Sequence, residues 1–177
     1  MDGDVLHLQL VNTGRSPLQL DVCSRHALAA PIELVLDPGE ERAADVATLA
    51  GSYDVAVHGP DGFLRHLAGD TASTLAGVEA SLEITGPMSA PTLRLVLHNA
   101  DGVTRAFTVS SRLGGCASHH VPPRSAKQLL FQPLQHDHGW YDLSAGLDGV
   151  TSWGRRFAGH LKPSPGGRIA VRRIASR

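Results

Sequence analysis

A chain of 177 residues, 42% hydrophobic and 19% charged, has enough apolar material for one or two modest cores. No run of about eighteen apolar residues occurs, which excludes a membrane-spanning helix, and the opening Met1-Asp2-Gly3-Asp4 lacks the basic and apolar regions of a secretory signal. The net charge of −1 conceals a division: residues 1–89 hold four Arg against thirteen Asp and Glu, while residues 90–177 hold twelve Lys and Arg against four Asp.

Leu6, Leu8 and Leu10 alternate with His7, Gln9 and Val11, which predicts a half-buried strand, and Asn12-Thr13-Gly14 supplies a tight turn into a second strand through Leu18, Leu20 and Val22. Ile32 to Leu36 follows, then the turn Asp37-Pro38-Gly39-Glu40, a run around Ala43 to Leu49, Tyr53 to Val57, Phe63 to Leu67, and the alternating Val78, Ala80, Leu82 and Ile84. Pro38 presets its own backbone dihedral and Gly39 accepts a positive one at little cost. Gly86-Pro87-Met88-Ser89-Ala90-Pro91 is short and proline-bounded, predicting a stiff joint. Beyond it the pattern starts again, with Leu93, Leu95 and Leu97, the turn Asn99-Ala100-Asp101-Gly102, then Phe107 and Val109. Here Pro122-Pro123-Arg124 stands where the first half has Pro-Gly, so a different turn is expected. The run Arg168 to Ile174 reads as the last strand of the second half, matching Val78 to Ile84, with a frayed basic tail as the alternative.

The second half echoes the first in its rarest motifs. Gly51-Ser52-Tyr53-Asp54 returns as Gly139-Trp140-Tyr141-Asp142, and Arg65-His66-Leu67-Ala68-Gly69-Asp70 as Arg155-Arg156-Phe157-Ala158-Gly159-His160, at offsets of 88 and 90 residues. Self-similarity at one period implies two copies of a module of small-domain size. The expected fold is all-β: two tandem antiparallel β-sandwiches of immunoglobulin type, about seven strands each, over residues 1–88 and 89–177, with a jelly roll or barrel as the rival. The opposite charges of the copies fit complementarity between neighbouring halves, or a basic half that meets an acidic partner or membrane.

Asp54 and Arg65 flank the Gly59-Pro60-Asp61-Gly62 turn, as Asp142 and Arg155 flank Asp148-Gly149. The expectation is a cross-strand Asp–Arg ion pair in each copy, with Tyr53 and Tyr141 buried and Gly69 and Gly159 allowing close packing. Together these eight residues are read as a structural motif. Cys23 and Cys116 fall at different places in the two copies and are expected to be buried free thiols rather than a bridge.

Catalytic signatures are missing: there is no Gly-x-Ser-x-Gly, phosphate-binding loop, dinucleotide fingerprint or His-Glu-x-x-His. No catalytic residue, cofactor or metal is therefore assigned. His119-His120 and His136-Asp137-His138 raise the metal question, and a small enzyme built on them is the most remote reading. With 5% aromatic residues a base-stacking platform has few candidates, so nucleic acid is not an expected partner. Trp140, Trp153, Arg156, Arg172 and Arg173, beside Arg155, are the candidates for a surface-binding patch, although the two Trp also suit a core.

The succession Leu-x-Leu-x-Asn, a Pro-Gly turn, Gly-Trp-Tyr-Asp-Leu-Ser and Arg-Arg-Phe-Ala-Gly-His resembles the C-terminal repeats of bacterial phosphatidylcholine-hydrolysing phospholipases C, of the acid-phosphatase-like superfamily. The likeness spans about residues 5–161. It departs at Ser52 against Trp140, Asp70 against His160, and Pro123-Arg124 in place of Pro-Gly. The resemblance implies a non-catalytic accessory region of a secreted or periplasmic enzyme. The metal-dependent phosphoesterase residues and the export signal are then expected upstream. The implied partners are the upstream catalytic domain and a phospholipid membrane surface, and the rival reading is an autonomous lipid-surface or polysaccharide-binding module.

Overall fold

The computed structural model describes residues 5–26, 29–71, 75, 77–87, 89–112, 115–162 and 169–174; within the last segment only Val171 has a described side chain. These residues form fourteen strands and one short helix. They are β1 (Val5–Asn12), β2 (Leu18–Ser24), β3 (Ile32–Leu36), β4 (Glu41–Ala47), β5 (Ser52–His58), β6 (Leu64–Asp70) and β7 (Val78–Thr85), then β8 (Thr92–Asn99), β9 (Arg105–Ser111), β10 (Cys116–Val121), β11 (Ser125–Phe131), α1 (Pro133–His136), β12 (Trp140–Leu147), β13 (Val150–His160) and β14 (Ile169–Ile174). The chain is all-β, as the alternation of its leucines predicts. In β1 Leu6, Leu8, Leu10 and Asn12 are buried while the residues between them are not, and β8 buries the equivalent Leu93, Leu95, Leu97 and Asn99, with Val96 buried as well.

An antiparallel eight-stranded sheet runs through both repeats in the order β10-β9-β12-β13-β6-β5-β2-β3. Two three-stranded sheets, β14-β1-β4 and β11-β8-β7, cover the same face of it. One core joins Leu6, Leu8 and Leu10 to Leu20, Val55 and Val57; the other joins Leu93, Leu95 and Leu97 to Phe107, Leu143 and Trp153. Each fully buried Leu or Phe contributes about 1.5–3 kcal/mol of transfer free energy.

The closing strands are exchanged. β7, from the first repeat, pairs with β8 from Val78↔Asn99 to Thr85↔Thr92. β14 pairs with β1 of the first repeat, from Asn12↔Ile169 to His7↔Ile174. The run ending at Ile174 is thus a strand, not a frayed tail, but it completes the first sandwich instead of the second. The cause lies in the joint. With Ala90 N–H donating to Pro87 O at 3.0 Å and Gly86 at φ 83°, Thr85 and Thr92 are brought opposite each other, and the chain returns antiparallel beside the strand it left. β7 must then lie against β8, and the matching edge of β1 is left for β14.

One turn differs from expectation. Gly39 has φ 79°, as the Pro-Gly step predicts, but Arg124 after Pro123 has φ 51°, so the second repeat makes the corresponding left-handed turn without glycine. The thiols are free, yet Cys116 is exposed and Cys23 half-buried, because both lie on strands of the large sheet whose outer face carries no covering layer among the described residues.

Candidate functional site

The repeats meet where β6 pairs with β13. Phe157 faces Arg65 and Leu67 faces Arg155, with Arg156 opposite His66 between them, so equivalent residues are related by a local two-fold axis. Side chains alternate along each strand, which sends Arg65 and Arg155 inward and His66 and Arg156 outward. Arg65 is 7% exposed and Arg155 2%.

Each buried arginine reaches the tyrosine of the other repeat. Arg155 Nη2 donates to Tyr53 Oη at 3.2 Å, and Arg65 Nη2 donates to Tyr141 Oη at 3.4 Å. Arg155 Nη1 also donates to Ala68 O and Gly154 O at 2.7 and 2.8 Å, and Arg65 Nη1 to the equivalent Ala158 O and Leu64 O at 3.3 and 2.8 Å. Aromatic faces complete both settings: Arg155 lies 4.8 Å from the Trp153 ring centre and Arg65 4.4 Å from that of Phe63. Glycine is required beneath each tyrosine. A Cβ on Gly159 would stand 2.8 Å from Tyr141 Oη, and one on Gly69 would collide with the Tyr53 hydroxyl.

One feature breaks the symmetry. Arg155 forms a bidentate ion pair with Glu79 of the exchanged strand β7, from Nε to Oε1 at 2.5 Å and from Nη2 to Oε2 at 2.9 Å. Burial pushes the Arg155 guanidinium down, and the Glu79 carboxylate with Tyr53 lifts it above its ordinary value.

The expected Asp54–Arg65 and Asp142–Arg155 pairs do not form. Tyr53 faces Gly69, so Asp54 faces Ala68 and shares the outer surface with His66, whereas Arg65 points to the core. Asp54 Oδ1 meets His66 Nε2 at 2.6 Å and lies 3.9 Å from Arg25 Nε. In the second repeat Asp142 accepts from Arg156 Nε at 2.9 Å and Nη2 at 2.6 Å, and those hydrogen bonds hold its carboxyl below the usual aspartate value. In each motif the aspartate instead pairs with the residue that follows the arginine, His66 or Arg156.

The surface-binding set is also divided. Trp153, 5% exposed, belongs to the second core and meets Phe107 edge-on at 5.7 Å; it is not a surface residue, because its inward parity is that of Arg155. Trp140 is 44% exposed and stacks on His160 at 4.5 Å. Arg156 is engaged by Asp142, and the side chains of Arg172 and Arg173 lie outside the described residues. His136 ends α1 and His138 sits in the following turn at φ 50°, so these two do not share a strand face; no group of three metal-ligating side chains occurs among the described residues. No described helix is long and apolar enough to cross a membrane.

The opposite charges of the two halves meet within the molecule. Glu79, Glu83 and Asp61 of the acidic half pair with Arg155, Arg94 and Lys162 of the basic half. Sequence reasoning also missed the role of two asparagines that it read as turn residues. Buried Asn12 donates to Ser16 O and Leu36 O and accepts from Gly14 N–H; buried Asn99 donates to Val103 O, Val121 O and Pro122 O and accepts from Asp101 N–H. Their signal was the identical Leu-x-Leu-x-Asn ending of β1 and β8, where a small amide is buried at the end of an apolar run.

Residues 2–70 match the family described as bacterial phospholipase C, C-terminal domain, the family that the repeated motifs resemble. The chain is also similar to the non-hemolytic phospholipase C of Burkholderia pseudomallei, 29% identical over 161 residues that make up 88% of this chain and 23% of that protein. It is likewise 29% identical to the non-hemolytic phospholipase C of Pseudomonas aeruginosa over 173 residues, 93% of this chain and 25% of that protein. The chain therefore spans about a quarter of the length of these curated relatives.

Proposed function

We propose that the chain is a non-catalytic accessory region of a secreted or periplasmic bacterial phospholipase C acting on phosphatidylcholine-type lipids, and that it braces an upstream catalytic domain. The repeats 1–88 and 89–177 are the units of duplication, and strand exchange makes them one folding unit. Tyr53, Arg65, Gly69 and their counterparts Tyr141, Arg155 and Gly159 lock the seam and touch no substrate.

One observation carries this reading: the outer face of the eight-stranded sheet is continuous across both repeats and built for close contact. At its centre lie short side chains, Ala68, Ala158 and Ser144, around the bare backbone of the facing Gly146 and Gly154. The ionisable groups there are paired, Asp54 with Arg25 and His66, and Asp142 with Arg156. Neutralised charges beside short side chains suit a protein surface laid flat on the sheet. An anionic membrane would instead call for unmatched Lys and Arg.

A Cβ on Gly154 meets nothing within 4 Å, so a side chain there starts into open space and Gly154→Trp is expected to obstruct what docks on that face. In the full-length enzyme this variant is expected to lower thermal stability and phosphatidylcholine hydrolysis, while the isolated chain keeps its melting temperature. A full-length enzyme indifferent to the substitution contradicts the brace. A second reading, a lipid-surface module, rests on exposed Trp140 and the basic second half. Salt-sensitive co-sedimentation with anionic liposomes, lost in Arg172→Glu/Arg173→Glu, would favour it.

A further inference from the structure

The two-fold comparison of the buried arginines leads to a ligand site that the bracing role does not require. Each hydrogen bond of Arg65 has its counterpart at Arg155, to the neighbouring carbonyl, the carbonyl across the seam and the tyrosine hydroxyl, and Phe63 matches Trp153 as an aromatic face. Two things differ: Arg65 has the Phe157 ring at 5.5 Å where Arg155 faces Leu67, and Arg155 has a carboxylate. The register that puts Glu79 opposite His98 on β8 puts Ala170 opposite Val11 on β1, so the exchanged strand of the first sandwich brings no acid to Arg65. Among the described residues Arg65 forms no ion pair, and its Nε donates to nothing, whereas Arg155 gives its Nε and Nη2 to Glu79.

Arg65 also lines a cavity of about 200 Å³ at the junction of the repeats, walled by Phe63, Ile84, Tyr141 and Leu161. Asp61 lies on its rim, with its carboxylate engaged by Lys162 Nζ at 2.7 Å. A guanidinium so little exposed gains from a counter-charge, and its planar edge matches a two-oxygen acceptor. The volume is several times the roughly 30 Å³ that a water molecule occupies in the liquid. That is room enough for a phosphate or a carboxylate.

We propose that the cavity beside Arg65 binds a small oxyanion, a carboxylate or phosphate group, which takes the edge of Arg65 that Glu79 takes on Arg155. The test is a titration of the 177-residue chain with sodium acetate and, separately, inorganic phosphate, each at ionic strength matched with sodium chloride. The Arg65 Nε–H resonance and the melting temperature are followed. A saturable shift of the Arg65 resonance with a rise in melting temperature is expected, while the Arg155 resonance stays in place; the anion that produces it identifies the ligand as carboxylate or phosphate. Ala170→Glu supplies the acid internally, so it should raise the melting temperature without added anion and abolish the response. Equal behaviour of Arg65 in acetate, phosphate and chloride overturns the site, as does an undiminished response in folded Ala170→Glu. The parent titration needs no substitution, so it decides the matter even where that variant fails to fold.

Discussion

Replacing Glu79 with Ala tests whether the exchanged strand supports the opposite repeat. The Arg155 side chain is 1% exposed and that of Glu79 33%, so the substitution leaves a buried guanidinium with carbonyls and a tyrosine hydroxyl but no ion-pair acid. Breaking a buried pair from one side costs about 3–5 kcal/mol, and the partial exposure of Glu79 places this pair at the lower end, about 3 kcal/mol. For a domain of this size each kcal/mol moves the melting temperature by roughly 2–4 °C, so a fall of roughly 6–12 °C is expected. Circular dichroism follows the whole chain, and Trp fluorescence follows the second core because Trp153 lies against Arg155. The two traces should fall together in one transition. A loss below about 1 kcal/mol, or a first-repeat transition that moves alone, refutes the reasoning.

Other substitutions probe the rest of the account. Arg124 is held at φ 51°, where a side chain costs about 1 kcal/mol, so Arg124→Gly should raise the urea midpoint; an unchanged or lower midpoint speaks against strain in that turn. Gly159→Ala places a Cβ 2.8 Å from Tyr141 Oη and should cost about 1–3 kcal/mol, as should Gly69→Ala beneath Tyr53, and denaturant curves matching the parent would show that the tyrosines have room to move. The Asp142 carboxyl is held below its ordinary value of 3.8 by Arg156, so its contribution is complete above that value and disappears as pH falls through the lower folded value. Asp142→Asn should thus be less stable than the parent at neutral pH and converge with it in strong acid, whereas a gap that stays constant with pH would remove the ion pair as its cause.

Much of the fold was legible because its signals are local. The alternating leucines of β1 and β8 mark strands with one buried face, and the recurrence of the Tyr-Asp and Ala-Gly motifs marks a duplication. What failed depended on register. Placing the hairpin midpoint near Gly59-Pro60 paired Asp54 with Arg65, but Tyr53 faces Gly69, and that shift sends the two side chains to opposite faces of the sheet. The same parity puts Trp153 in the core. Repeat logic assigned β14 to its own module because a repeat pattern carries no information on which copy a closing strand joins. The short Gly86–Pro91 segment held that information as a hairpin, where it was read only as a stiff joint. Glu79 escaped notice for the same reason, since its role exists only once β7 lies across the second repeat.

Through-space proton contacts along β14 in the 177-residue chain test the exchange most directly. The account predicts backbone contacts between Val171 and Leu10 and between Arg173 and Leu8, together with contacts between Ala80 and Leu97. Contacts from Val171 to Leu97, or from Ala80 to Leu10, would place each closing strand in its own repeat and contradict it.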